Sequence, residues 1–298
     1  MKTLKITFIA FFCTSVAWAQ SPEKALAKVS YSFSHIRDTT NRANPYTENM
    51  ALLIGKNASV YASFDKITQD IERKRQLEEQ VKNLAPGEPI RINVGKVKPT
   101  SAVEFYSFFK ENKLFTRELL INIYLTEEPL PKISWKITKD TASFSGIACK
   151  KATAHFKGRN WTAWFAPELP FQSGPWKLNG LPGLIIEAYD DKKEVQFLFA
   201  GFENIKEEVA EKPALDPENT IVATTSALAG KEIKLPTNAI RTTVSELNKL
   251  KEARAKDPVG FVKAQMANSG VTISSTNKLA EIASKNTFNN PIELPEHN

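Results

Sequence analysis

The residues able to do chemistry gather between positions 155 and 191: His155, Arg159, Glu168, Lys177, Glu187, Asp190 and Asp191. A carboxylate at Glu168 or Asp190 offers a general acid or base, and Arg159 a guanidinium for clamping an anionic group. Glu168 stands out because Pro167 and Pro170 bracket it beside aromatics. The bland reading is open beside it: Arg159 as a hairpin residue, Asp190 and Asp191 as residues that close a strand turn. A hydrolase or transferase built on Glu168 and Arg159 requires the two side chains to converge in a pocket.

Signatures of established chemistries are absent from the sequence. It has no His-Glu-x-x-His, no Gly-x-Ser-x-Gly, no P-loop and no Cys-x-x-Cys, and three histidines do not furnish a metal cage. No cofactor is implied. The formal charge of +7 is interspersed rather than striped, so nucleic acid is not an expected partner. Cys149 is the sole cysteine beyond position 19 and falls in an alternating stretch, as expected for a buried thiol.

Aromatics are the denser signal. Trp135, Trp161, Trp164, Phe165, Phe171 and Trp176 crowd the same span. They either line a concave apolar cleft, with Trp161, Trp164 and Trp176 beside Arg159 and Glu168 as ligand contacts, or fill a core. Trp161 and Trp164 have opposite strand parity.

The stretch that must position these residues is Gly174-Pro-Trp-Lys-Leu-Asn-Gly-Leu-Pro-Gly-Leu-Ile-Ile186, where prolines fix φ and glycines permit left-handed or close-packed backbone. Pro182-Gly183 predicts a type II turn. Around it, short runs separated by small turns predict a mainly β chain: an antiparallel, strongly curved sheet or open half-barrel with one or two helices. Val29, Tyr31 and Phe33 alternate with serines. Residues 50–54 and 59–64 flank a Gly55-Lys56-Asn57 hairpin turn. Residues 90–97, 115–125, 133–137, 184–189 and 195–202 read as further strands, 103–109 as a strand or a short helix, with one more strand in 220–235. The charged, roughly helically spaced segment near 66–84 reads as an inserted helix, and 243–256 as a second with a capping-type start.

At the N-terminus, Lys2 and Lys5, the apolar run 6–16 and Ala17-Trp-Ala19 form a Sec-type signal peptide, cleaved after Ala19. The expected organisation is a signal at 1–19, a β-rich domain at 20–240, and a C-terminal helix with a partly disordered tail at 241–298. No transmembrane segment is expected after cleavage, and the expected location is periplasmic or secreted.

Gly180-Leu-Pro-Gly-Leu-Ile185 resembles the signature of the GLPGLI family, exported Bacteroidota proteins of unassigned function. Trp135-Lys-Ile137, Cys149-Lys-Lys-Ala-Thr153, Gly158-Arg159, Thr162-Ala-Trp-Phe165, Glu168-Leu-Pro170 and Asn290-Pro-Ile-Glu-Leu294 resemble its pattern in order. The resemblance implies no catalytic residues. It implies an envelope role, with an outer-membrane TonB-dependent transporter as a possible partner. The expected function is a non-catalytic scaffold holding an apolar or peptidic ligand; the alternatives are the Glu168/Arg159 enzyme and a purely structural envelope protein.

Overall fold

The computed structural model describes residues 22–83, 98–205, 232–266 and 288–296. The signal segment, the expected strand at 90–97 and most of 220–235 lie outside the described residues. The strands are β1 (Glu23–Lys24), β2 (Ala27–His35), β3 (Tyr46–Ile54), β4 (Ala58–Ser63), β5 (Val103–Phe108), β6 (Lys113–Leu119) and β7 (Ile123–Pro129). They continue as β8 (Lys136–Phe144), β9 (Ile147–Phe156), β10 (Arg159–Ala166), β11 (Leu184–Asp190), β12 (Val195–Asn204), β13 (Glu232–Ile233) and β14 (Ile240–Thr242).

Twelve of these form one sheet in the order β14-β7-β6-β5-β4-β3-β2-β12-β11-β10-β9-β8, which is not closed into a barrel. Two antiparallel meanders, β2 to β7 and β8 to β12, are zipped together where β12 pairs β2 from Val195↔His35 to Asn204↔Ala27. Only β14 runs parallel to its neighbour, which makes the sheet mixed. The hairpin turns are local chemistry: Ser145 and Gly146, then Lys157 and Gly158, all take positive φ, as the tight turns that match strand twist require.

Residues 115–125 are two strands rather than one, broken at 120–122, and β8 begins only at Lys136, after a linker in which Pro131 has no donor to give a ladder. The described residues hold three helices, one more than the upper expectation: α1 (Phe64–Asn83), α2 (Val244–Lys256) and α3 (Pro258–Met266). Thr243 and Glu246 form a reciprocal capping box on α2. Asp257 ends α2 and starts α3, accepting from the Gly260 amide at 2.8 Å, while Pro258 occupies a first helical position that needs no donor.

The alternation of β2 places Val29, Tyr31 and Phe33 in the main core, with Trp161, Phe165 and Phe197 from β10 and β12. A second core on the other face of the β3 to β7 meander collects Leu53, Val60, Tyr106 and Phe115, covered by Ala25 and Ile233 near the small β1–β13 sheet. Leu52 and Leu53 therefore serve different cores, which explains why β3 is buried on both sides.

Most of residues 174–186 are packed inside, with Gly180 and Pro182 at the surface. Trp176, Leu178, Leu181 and Leu184 are core residues, and the Trp176 ring centroid lies 5.5 Å from that of Trp161. The expected type II turn at Pro182-Gly183 is not formed. The Gly183 amide bonds back to Leu181 O at 2.8 Å, a three-residue turn, while the Leu184 amide is committed to Leu169 O at 2.9 Å. Docking onto the 166–169 corner thus overrides the local turn preference. Gly183 has φ +150°, and a Cβ there would stand 2.2 Å from Ala166 O; Gly180, at φ +86°, faces open space. Gly183→Ala is therefore expected to cost upward of about 3 kcal/mol and Gly180→Ala about 1 kcal/mol. Urea unfolding of the two variants checks that order.

Candidate functional site

Along β10, Arg159, Trp161, Ala163 and Phe165 share the buried face. Arg159 is thus the last member of a core-facing row, and its charge sits where the apolar core ends. The hairpin turn itself is Lys157-Gly158, and Arg159 is already the first residue of β10. Asp190 lies opposite Trp161 in the next strand, and His35 opposite Val195 across the seam. The same end of the sheet therefore carries Arg159, Asp190, Glu194 and His35, all nearly inaccessible to solvent.

Residues 288–296 lie across this polar end as a strap. All five guanidinium N–H groups of Arg159 have partners. Nη1 donates to Asp190 Oδ2 at 2.7 Å and to Glu194 Oε2 at 3.3 Å; Nη2 donates to Asn290 Oδ1 and to Pro291 O, each at 2.7 Å; Nε donates to Ile292 O at 2.8 Å. The other Asp190 oxygen accepts from the Val195 amide at 2.9 Å, closing the β11–β12 turn. Burial pushes the Glu194 carboxyl up, but bonds from Arg42, Asn290 and Arg159 outweigh it and hold it below the usual range.

Asn290 is the buried anchor of the strap. Its Nδ2 donates to Ile36 O at 2.7 Å and Glu194 Oε2 at 3.0 Å, and the Asn289 and Asn290 amides donate to Arg37 O. His35 Nε2 lies 2.8 Å from Asn290 O, so a neutral ring protonated there donates to it. Desolvation lowers the His35 pKa to about 4, against the Asn290 bond and with the help of Arg37 and Arg159. Further along, Leu294 N donates to Lys157 O at 3.0 Å, Glu293 meets Lys177 at 2.7 Å and Lys157 at 3.1 Å, and Ile292 packs on the main core. Glu296 reaches His155 Nε2 at 2.9 Å and accepts from the Gly158 amide at 3.1 Å. Gly158 is required twice over: φ is +69°, and a Cβ would lie 2.7 Å from Leu294 Cβ and O.

Of the residues singled out from sequence, Arg159, Asp190, His155 and Lys177 join this site. Glu168 does not. It is exposed beyond the far end of β10, about 20 Å or more from Arg159 at roughly 3.3 Å per strand residue. With no convergence, the two side chains do not form a shared base-and-clamp site. Trp161 and Trp176 are core residues, 1% and 5% exposed, so they offer a ligand no surface; Trp161 stacks on Phe197, and Trp176 packs at a tilt against Phe156. Trp164 lies on the other face of β10, half-buried against Phe144. Glu187 is half-buried with its carboxyl raised by desolvation, against a bond from Phe199 N and the charge of Lys193. Asp191 accepts from Asn160 at the surface. Burial, then the Glu187 charge, pushes the Cys149 thiol up to about 11, which leaves it unreactive at neutral pH. Among the described residues no cluster of His, Cys, Asp and Glu is placed to hold a metal ion, and no helix is long and apolar enough to cross a membrane.

Sequence reasoning missed Glu194, Glu293, Glu296 and the role of Asn290. The signal present was Asn290-Pro291, a polar anchor followed by a residue that cannot donate, at the one patterned point of the tail.

Because His35 must be neutral in the fold, its contribution is complete above about pH 6.5 and is lost as pH falls toward 4. The loss is about 3 kcal/mol over that window. His35→Gln, which keeps a donor but cannot titrate, is expected to flatten this limb of denaturation midpoint against pH. His155 has the opposite sign: bonds to Asn160 and Glu296 raise its pKa, so its grip on Glu296 is lost as pH rises through the raised value.

Comparison with known proteins follows the same stretch of chain. A family model described as "Protein of unknown function (Porph_ging)" matches residues 156–187, which run from the turn beneath the strap through β10 and the buried glycine-proline segment to Glu187. No curated protein matches. Among solved structures, "Structure of PNGF-II in P21 space group" is similar with a TM-score of 0.48 and 14% identity, over 76% of this chain and 32% of that one. "Structure of PNGF-II in C2 space group" is similar with the same TM-score and coverage at 15% identity. The chain thus spans about a third of the length of those proteins, and over residues 156–187 it is similar to a family of unknown function.

Proposed function

We propose that this protein is an exported, non-catalytic scaffold whose Arg159 slot holds an extended peptide. The observation that carries this reading is the direction of the Arg159 donors: three of five go to a peptide segment, two of them to its main-chain carbonyls. Main-chain recognition by a pre-ordered charged group is how an extended polypeptide is gripped. Asp190 and Glu194 hold the guanidinium in place before the peptide arrives, so little ordering is required of it. The ligand class is peptidic, and the tryptophans serve as the rigid floor of the slot rather than its lining. The signal-like residues 1–19 support the periplasm or exterior as its setting, and an outer-membrane transporter as neighbour rests on the family resemblance.

The test uses the full chain carrying Asn290→Ala, which loosens the built-in strap, and a fluorescent peptide of residues 288–296. Saturable binding by anisotropy, abolished by added Arg159→Met, is expected. A folded variant that binds no peptide would leave the purely structural reading in its place. In the intact chain Arg159→Met is expected to cost about 3–5 kcal/mol in unfolding free energy, because Asp190 and Glu194 are left buried without their counter-charge.

A further inference from the structure

Strap residues contribute unequally to the docking. Of the nine from Phe288 to Glu296, Asn290 alone is fully buried, and the strap belongs to neither sheet. Its hold is mostly polar, with Ile292 packed on the main core, Phe288 edge-on to the His35 ring at 6.0 Å and Leu294 against Gly158. That is the construction of an exchangeable segment, since an element whose bonds are mostly replaceable by another chain's carbonyls and carboxylates has no unique claim on its site.

Three contacts read side chains. The Asn290 amide is bonded on both ends, by Arg159 to its oxygen and by Ile36 O and Glu194 to its nitrogen. Glu293 sits between Lys157 and Lys177. Glu296 sits at the Gly158 amide beside His155. Pro291 suits the position after the anchor, where a carbonyl is used and no donor is required. Lys157, Lys177 and His155 together give this end of the slot a basic rim facing the two strap glutamates.

We infer that the strap is a built-in stand-in for a partner polypeptide, and that the partner presents an extended acidic segment in which Asn-Pro is followed by glutamates three and six positions after the asparagine. The inference rests on the peptide-holding reading and adds to it both the specificity and the displacement of the strap. In the resting chain the strap occludes the slot, and a partner segment of the same chemistry takes its place in trans.

The experiment is a peptide panel titrated against full-length Asn290→Ala. A second full-length background, Glu293→Lys with Glu296→Lys, loosens the strap at its exposed end, should the first variant fold poorly. The peptide of residues 288–296 is expected to bind. The same peptide with Asn290→Ala should bind on the order of 30-fold more weakly, since three bonds to buried groups are lost. The peptide with both glutamates changed to lysine should bind about 10-fold more weakly, with the difference shrinking as salt rises. The wild-type chain should bind the parent peptide more weakly than either variant, because its own strap competes. Binding of all three peptides with equal affinity would overturn the inferred specificity while leaving a peptide site, whereas no binding of any would remove the peptide reading itself. Equal affinity of wild-type and loosened chains would overturn displacement. Sedimentation of the wild-type chain should show a monomer; a strap-dependent dimer would overturn a separate partner by making a second copy the source.

Discussion

A buried guanidinium with no spare hydrogen is the constraint on which this structure turns. Arg159 lies 3% exposed at the margin of an apolar core, where an isolated charge would be prohibitively costly. Two carboxylates neutralise it from the β11–β12 turn, and the strap supplies the remaining three acceptors. A buried ion pair of this kind adds little net stability but penalises any arrangement in which a partner is missing. It therefore specifies geometry: where β10 starts, how the 190–195 turn closes, and what must cover the end of the sheet.

The glycine-proline segment works on the same core from below. Gly183 lets the chain press against the Ala166 carbonyl, Trp176 is held at positive φ beside Trp161, and Lys177 at the rim reaches Glu293 of the strap. Asn179 bonds Pro131 O, and its own carbonyl accepts from Trp135, so the linker entering β8 is tied to the same segment. One packed unit thus joins floor, slot and strap. The residues matched to a family of unknown function, 156–187, trace most of that unit.

How much of this was legible in the sequence follows the range of the forces involved. Period-two alternation gave β2, and glycine-bearing turns gave the hairpins, because both are short-range consequences of sterics and burial. The helix near 66–84 appears as α1, shifted by a few residues. The Pro182-Gly183 turn failed because a long-range bond, Leu184 N to Leu169 O, took the donor that the local turn needed. Arg159 and Asp190 were visible as interesting residues, but the sequence holds no sign that a further partner of Arg159 lies 131 positions away at Asn290. Glu168 was conspicuous for its prolines, and those prolines mark a surface corner. The tryptophans were legible as a cluster; that their faces are spent on each other and on phenylalanines is a fact of packing, which spacing does not encode.

The seam between the meanders imposes an order on synthesis. β2 has its partner β3 at once, but its other edge waits for β12, and the Tyr31 hydroxyl reaches its acceptor, Ile185 O, across 154 positions of chain. A polypeptide emerging N-terminus first therefore carries an open strand edge and the apolar row Val29, Tyr31, Phe33 until most of its length has appeared. Such high contact order slows folding and leaves a nascent intermediate prone to aggregation. The half-made sheet is the form of this molecule with the greatest need of a chaperone.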